Sequence, residues 1–114
     1  LFPGKNIIYD ARIRECNYGV LNGTVGRQVV YDDHILVKFP QGESLIDVQN
    51  RIETFLNDIL KTYNGKRIAM VSHRAPQLAL EVIVNGFSWE EAIAKDWRIK
   101  GKWQPGWLYR YPCF

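Results

Sequence analysis

The sequence has little of what marks secreted or membrane-spanning chains. Its two cysteines, Cys16 and Cys113, are too far apart to suggest a disulfide framework or a paired metal clip, which predicts two free thiols in a reducing cytoplasm. The longest apolar runs, such as residues 68–71, are far shorter than the roughly 20 residues of a membrane-spanning helix. No secretory signal pattern is present at the start. We therefore expect a cytoplasmic chain without a membrane partner.

The chain also lacks an initiator methionine, because it opens at Leu1, and this suggests part of a longer protein. Its 114 residues, 46% of them hydrophobic and 24% charged, match an ordinary globular domain and predict a single domain over 1–114. A net charge of +3 suits phosphorylated or nucleic-acid partners and also many others. Charge alone therefore excludes neither class of partner.

One helix is well marked by its apolar spacing. The apolar residues between Leu45 and Tyr63 recur every three or four positions, as on one helical face. Ser44 and Asp47 suit its start, and Asn64-Gly65 suits its end. Pro76 fits the first turn of a second helix that Gly86 can close, and Ser88-Trp89-Glu90-Glu91 has the spacing of a capping box that begins a third.

Several β-rich segments lie between and around these helices. The residues 32–34 could equally form a helical turn, but the flanking segments favour strands. The strand candidates are 6–9, 28–31, 35–39, 67–72 and 107–111. This order of elements predicts an α/β fold in which helices pack on a mostly parallel sheet.

Three local patterns then occur in a specific order. Arg14-Glu15-Cys16-Asn17-Tyr18-Gly19 with Gly23 is the first, Pro40-Gln41-Gly42-Glu43-Ser44 with Asp47-Val48 and Arg51 is the second, and Val71-Ser72-His73 is the third. In this order and spacing they resemble the acidic loop, the helix start and the second-histidine strand end of the histidine phosphatase superfamily, in its phosphoglycerate-mutase-like branch. The resemblance covers roughly residues 10–86, about two thirds of the chain.

The resemblance implies roles for four residues. Glu15 matches the general acid, and His73 matches the histidine that donates hydrogen bonds to the transferring phosphoryl group. Tyr18 matches a residue near the substrate, although it could equally be a packed surface aromatic. Arg74 stands where the family usually has glycine, so its side chain either blocks the approach of phosphate or binds it through the guanidinium.

Four further residues match family positions that we interpret as fixing the helix start rather than touching substrate. They are Glu43, Ser44, Asp47 and Arg51.

The family's phosphate-accepting Arg-His-Gly is absent from the sequence. His34 has the acidic neighbours Asp32 and Asp33, which would repel phosphate, and is rejected as a substitute. The resemblance therefore implies the C-terminal part of a phosphoryl-transfer enzyme, a phosphatase or mutase, that is inactive alone and incomplete in its first strand and following helices. Such a chain would associate with itself or with the missing N-terminal segment. A small phosphorylated substrate and no metal or other cofactor are expected.

Two other functions stay open on the sequence. A non-catalytic module could retain the phosphate pocket for binding or regulation. The aromatic and basic residues of the tail could instead bind single-stranded nucleic acid, as interleaved rings and charges do elsewhere. These tail residues are Trp97, Arg98, Lys100, Lys102, Trp103, Trp107, Tyr109 and Arg110. Because no recognition motif accompanies them, nucleic acid is not expected as a partner.

Overall fold

Three α-helices form the framework of the residues that the computed structural model describes, which are 3–23, 29–101 and 104–111. Helix α1 spans Leu45–Tyr63, α2 spans Arg74–Ile83 and α3 spans Trp89–Ala94. Short 3-10 turns occur at Ala11–Ile13, Gly19–Leu21, Tyr31–His34 and Trp97–Lys100. Helix α1 packs against α2, and α2 packs against α3.

Helix α1 begins with a complete capping box, as its sequence predicts. The Ser44 hydroxyl accepts from the Asp47 N–H at 3.1 Å, and the Asp47 carboxylate accepts from the Ser44 N–H at 2.9 Å. These bonds satisfy two N–H groups that otherwise have no partner in the first turn. The buried side chains of α1 lie at three- and four-residue intervals and face the core; they are Leu45, Val48, Ile52 and Phe55. The helix ends before Asn64 and Gly65, and Gly65 has a φ of +79°.

Helices α2 and α3 also confirm their sequence signals. Pro76 lies in the first turn of α2, where its missing N–H leaves no helical bond unmade. Ser88 caps α3 by accepting from the Glu91 N–H at 3.1 Å. The Trp89 indole, 4% exposed, donates to the Gln49 side-chain oxygen at 2.8 Å and thereby ties α3 to α1.

The predicted α/β fold is wrong for the described residues, because they contain no β-strand and no sheet. Residues 6–9, 29–30, 35–39, 67–72 and 107–111 are irregular, 31–34 form a 3-10 turn, and Gln28 lies outside the described residues. A strand exists only when its backbone pairs with a neighbour, whereas β-branched composition records only a preference for such a surface. In 67–72 Val71 is 84% exposed and Ile68 48%, whereas Met70 packs against the core.

None of the helices in the described part of the chain has the length and apolar character needed to cross a membrane.

Candidate functional site

Glu15 lies at the N-terminus of α2. Its Oε1 accepts a hydrogen bond from the Cys16 N–H at 2.8 Å and another from the Ala75 N–H at 3.2 Å. Ala75 is in the first turn of α2, where N–H groups lack helical partners and the helix dipole favours an anion. No described residue donates a hydrogen bond to the second oxygen, Oε2. The carboxyl group of the predicted general acid is therefore fixed through one oxygen.

The loop that carries Glu15, called the Glu15 loop below, is held in place by hydrogen bonds to its backbone carbonyl groups. Four consecutive carbonyls, those of residues 12–15, accept hydrogen bonds from side chains. Arg51 of α1 donates to three of them, at 2.6, 2.8 and 3.1 Å. The hydroxyl of Ser72, which precedes His73, donates to the carbonyl of Ile13 at 2.5 Å. The loop is thus connected both to α1 and to the segment that leads into α2.

Two glycines allow the same loop to dock on the residues before α1. A Cβ added at Gly19 would lie 1.8 Å from the Pro40 carbonyl oxygen, and one at Gly42 would lie 2.3 Å from the Asn17 carbonyl oxygen. Backbone hydrogen bonds join the two segments, from the Val20 N–H to Pro40 and from the Glu43 N–H to Asn17. No residue with a side chain fits this contact without backbone movement. The first two sequence patterns therefore form one packed unit.

Two tyrosines and Arg74 lie beside Glu15. The hydroxyls of Tyr18 and Tyr31 are 2.5 Å apart, and the Arg74 guanidinium lies 4.2 Å from the centre of the Tyr31 ring. Burial raises the pKa of both phenols and so adds to their ordinary preference for the protonated form at neutral pH. The Arg74 Nε donates to the fully buried Asp96 carboxylate at 2.7 Å. Within the described chain this is the only hydrogen bond of the Arg74 guanidinium, so its two terminal nitrogens remain available.

A cavity of about 220 Å³ brings three of the four predicted site residues together. Its lining includes Glu15, Tyr18 and Arg74, together with Leu21, Gly23, Val29 and Tyr31. It contains one acid, one guanidinium and two phenols against apolar walls. Such a cavity can hold a small anion with a compact organic group.

His73 does not line this cavity. It is exposed and forms the N-terminal cap position of α2, immediately before Arg74, and its side chain makes no capping hydrogen bond. The fold therefore places His73 at the helix start whose Ala75 N–H donates to Glu15. No His, Cys, Asp or Glu cluster suited to a metal ion occurs in residues 3–23, 29–101 and 104–111.

Cys16 and His34 have structural surroundings. Burial raises the pKa of the Cys16 thiol to about 12, so this neighbour of Glu15 is a poor nucleophile. The His34 ring stacks on Phe39, with 3.9 Å between ring centres, and its Nδ1 lies 3.0 Å from the Val37 carbonyl oxygen.

The aromatic and basic tail is described only in part, because Lys102 and Trp103 lie outside the described residues. Arg98 of the tail pairs with buried Asp96 at 2.9 Å.

Sequence reasoning missed Asp96 and Tyr31. Asp96 is the buried anion between Arg74 and Arg98, and Tyr31 supplies the ring beneath Arg74. Neither residue belongs to one of the three patterns, and each meets Arg74 only through the tertiary fold. The local signal of Asp96, an aspartate that accepts from the Arg98 N–H at the start of a 3-10 turn, predicts a cap and nothing more.

The chain belongs to the histidine phosphatase superfamily (branch 1), whose family profile matches residues 2–99. Phosphoserine phosphatase 1 of Hydrogenobacter thermophilus (strain DSM 6534 / IAM 12695 / TK-6) is 29% identical to it over 101 residues. The match covers 80% of this chain and 46% of that relative. The chain thus spans about half the length of the curated relative it matches.

Proposed function

We propose that this chain carries the general-acid half of a phosphatase site and acts on small phosphate esters with a histidine nucleophile supplied by a segment outside residues 1–114. The observation that carries the proposal is the shared cavity of Glu15 and Arg74 at the start of α2, directly beside His73. An acid, a guanidinium and an imidazole at one helix N-terminus suit a transferring phosphoryl group.

The proposed reaction has two steps. The incoming histidine nitrogen forms a bond to phosphorus while the ester P–O bond breaks, and Glu15 gives its proton to the leaving oxygen. Water then attacks the phosphohistidine, Glu15 accepts the water proton, and the N–P bond breaks to release phosphate. His73 and the terminal nitrogens of Arg74 donate hydrogen bonds to the phosphoryl oxygens, while Tyr18 contacts the substrate from the cavity wall.

Several exposed apolar side chains support the proposal that another segment of polypeptide covers this part of the surface. Ile7 and Ile8 are each 67% exposed, Val71 is 84% exposed and Leu108 is 88% exposed. Covering such residues favours association, either with an N-terminal segment of the same protein or with a second copy. We propose the former, because residues 1–114 lack the Arg-His-Gly that the family resemblance calls for. The buried free thiol of Cys16 suits a reducing, cytoplasmic setting.

Two preparations test the proposal: residues 1–114 alone, and the same chain produced with its natural upstream coding sequence. Hydrolysis of p-nitrophenyl phosphate and of phosphoserine is measured, the latter because of the relative's name. The chain alone should be inactive, and the extended protein should form an acid-labile phosphohistidine. Turnover by residues 1–114 alone would refute the requirement for an outside nucleophile.

The role of Glu15 has a matched control on α1. Replacing Glu15→Gln in the extended protein should lower kcat about 10²- to 10⁴-fold, the usual contribution of a general acid. The exposed Glu53 carries the same carboxyl group away from the cavity, so Glu53→Gln should leave kcat unchanged. Equal activities of the two variants would contradict the assignment.

A second candidate is a phosphate-binding module without turnover, which the absence of Arg-His-Gly from residues 1–114 favours. It predicts calorimetric binding of a phosphate ester by the chain alone, lost on His73→Ala. Phosphohistidine formation by the extended protein would exclude it.

A further inference from the structure

We propose that Arg51, held by Glu43, is a positioning residue for Glu15. This inference rests on the proposed function for its catalytic meaning, since Glu15 is the acid there. The contacts of Arg51 themselves are independent of any activity.

Arg51 reaches the Glu15 loop from the first half of α1. Its two terminal nitrogens donate to the carbonyl oxygens of Arg12, Arg14 and Glu15 at 2.6, 2.8 and 3.1 Å. These carbonyls lie immediately before and at the acid. A rigid guanidinium that binds three of them fixes the backbone from which the Glu15 side chain extends.

Glu43 fixes the guanidinium in turn. Its two carboxylate oxygens accept from the Arg51 Nε at 2.9 Å and from the second terminal nitrogen at 3.0 Å, a bidentate pair. The side chains of Arg51 and Glu43 are only 11% and 16% exposed, so water competes weakly for them. Glu43 also accepts from the Asn17 N–H at 2.9 Å, on the far side of the acid. Hydrogen bonds from Arg51 and to Glu43 thus fix the loop backbone both before and after Glu15.

The consequence is at the start of α2. With the loop backbone fixed, the Glu15 carboxylate meets the Ala75 N–H, which has no helical partner of its own. Lysine at position 51 would keep the positive charge and lose the fork that spans three carbonyls and a carboxylate. Arg51→Lys therefore separates positioning from charge.

Amide hydrogen exchange on residues 1–114 measures this directly and needs no turnover. We expect Arg51→Lys to speed exchange of the Ala75 amide about 10-fold relative to the Leu80 amide inside α2, as loss of one charge-assisted hydrogen bond does. Glu15→Gln should give a similar ratio, and the double variant should add little to either. Arg12→Gln removes the side-chain ion pairs of Arg12 to Asp10 in the loop and to Asp58 of α1, and it should leave the ratio unchanged.

Glu43→Gln provides the same test with a smaller change, because it keeps the shape of the side chain and one acceptor oxygen. It should speed Ala75 exchange in the same direction even if Arg51→Lys does not fold. An unchanged ratio of Ala75 to Leu80 exchange in the folded variants would overturn the positioning role. The proposed function fails separately, through the phosphohistidine and turnover assays.

Discussion

Replacing Gly42→Ala should break the contact between the loop of the acid and the segment before α1. The new Cβ would lie 2.3 Å from the Asn17 carbonyl oxygen and 2.7 Å from the Gly19 nitrogen. Both neighbours are backbone atoms, so the two segments must separate rather than rotate a side chain. That separation weakens the hydrogen bond from the Glu43 N–H to Asn17, now 2.8 Å, and the one from the Val20 N–H to Pro40, now 3.0 Å.

The magnitude follows from these contacts. Overpacking a tight site costs about 1–3 kcal/mol, and each of the two weakened backbone hydrogen bonds contributes about 1 kcal/mol, so the free energy of unfolding should fall by about 3–5 kcal/mol. Urea unfolding followed by tryptophan fluorescence measures it. Gly106→Ala is the matched control, since nothing lies within 4 Å of its added Cβ, and it should change stability by less than about 0.5 kcal/mol. Equal stabilities of the two variants would refute the close-contact argument.

Three further outcomes follow from buried polar groups. Burial raises the pKa of Cys16 to about 12, so iodoacetamide should modify it far more slowly in the native than in the urea-unfolded protein; equal rates in the mass spectrum of its peptide would contradict this. Burial alone would raise the pKa of Glu43, but the hydrogen bonds from Arg51 and from the Asn17 N–H, together with the charges of Arg51 and Arg14, outweigh burial and lower that pKa. The contribution of ionised Glu43 to the free energy of unfolding is complete above its unfolded pKa of about 4.3 and is lost as pH falls through the lower folded pKa. Glu43→Gln should therefore flatten the fall of the free energy of unfolding at acid pH. An unchanged acid limb would remove the assignment. Gln49→Leu should lower the free energy of unfolding by about 1–3 kcal/mol, because it leaves the buried Trp89 indole N–H without its acceptor. An unchanged free energy of unfolding in urea would show that this hydrogen bond is unimportant.

The helices were predictable because their signals are local. Ser44 and Asp47 are three residues apart and satisfy each other across the first turn of α1, whatever the rest of the chain does. The apolar spacing after them selects the buried face. The strand predictions were wrong for the described residues, because residues such as Ile68 and Val71 specify a preference for a pleated surface and not the partner that would complete it.

The candidate site divides in the same way. Its residues Glu15, Tyr18 and Arg74 followed from the resemblance of local patterns, and the fold brings them to one cavity, while His73 stays exposed beside it. Arg51 was interpreted as part of the helix start, but its guanidinium binds the carbonyls of the acid loop. The residues next to Arg51 in the sequence do not indicate that its side chain binds these carbonyls.

The amino-acid sequence by itself determined the helix limits, the caps and the chemical types available to the site, since each depends on residues a few positions apart. Only the tertiary structure decided that Glu15 meets the Ala75 N–H, that Gly19 and Gly42 touch, and that Asp96 anchors Arg74. Those contacts join residues 22 to 60 positions apart, and such closures depend on how the helices pack rather than on any local preference.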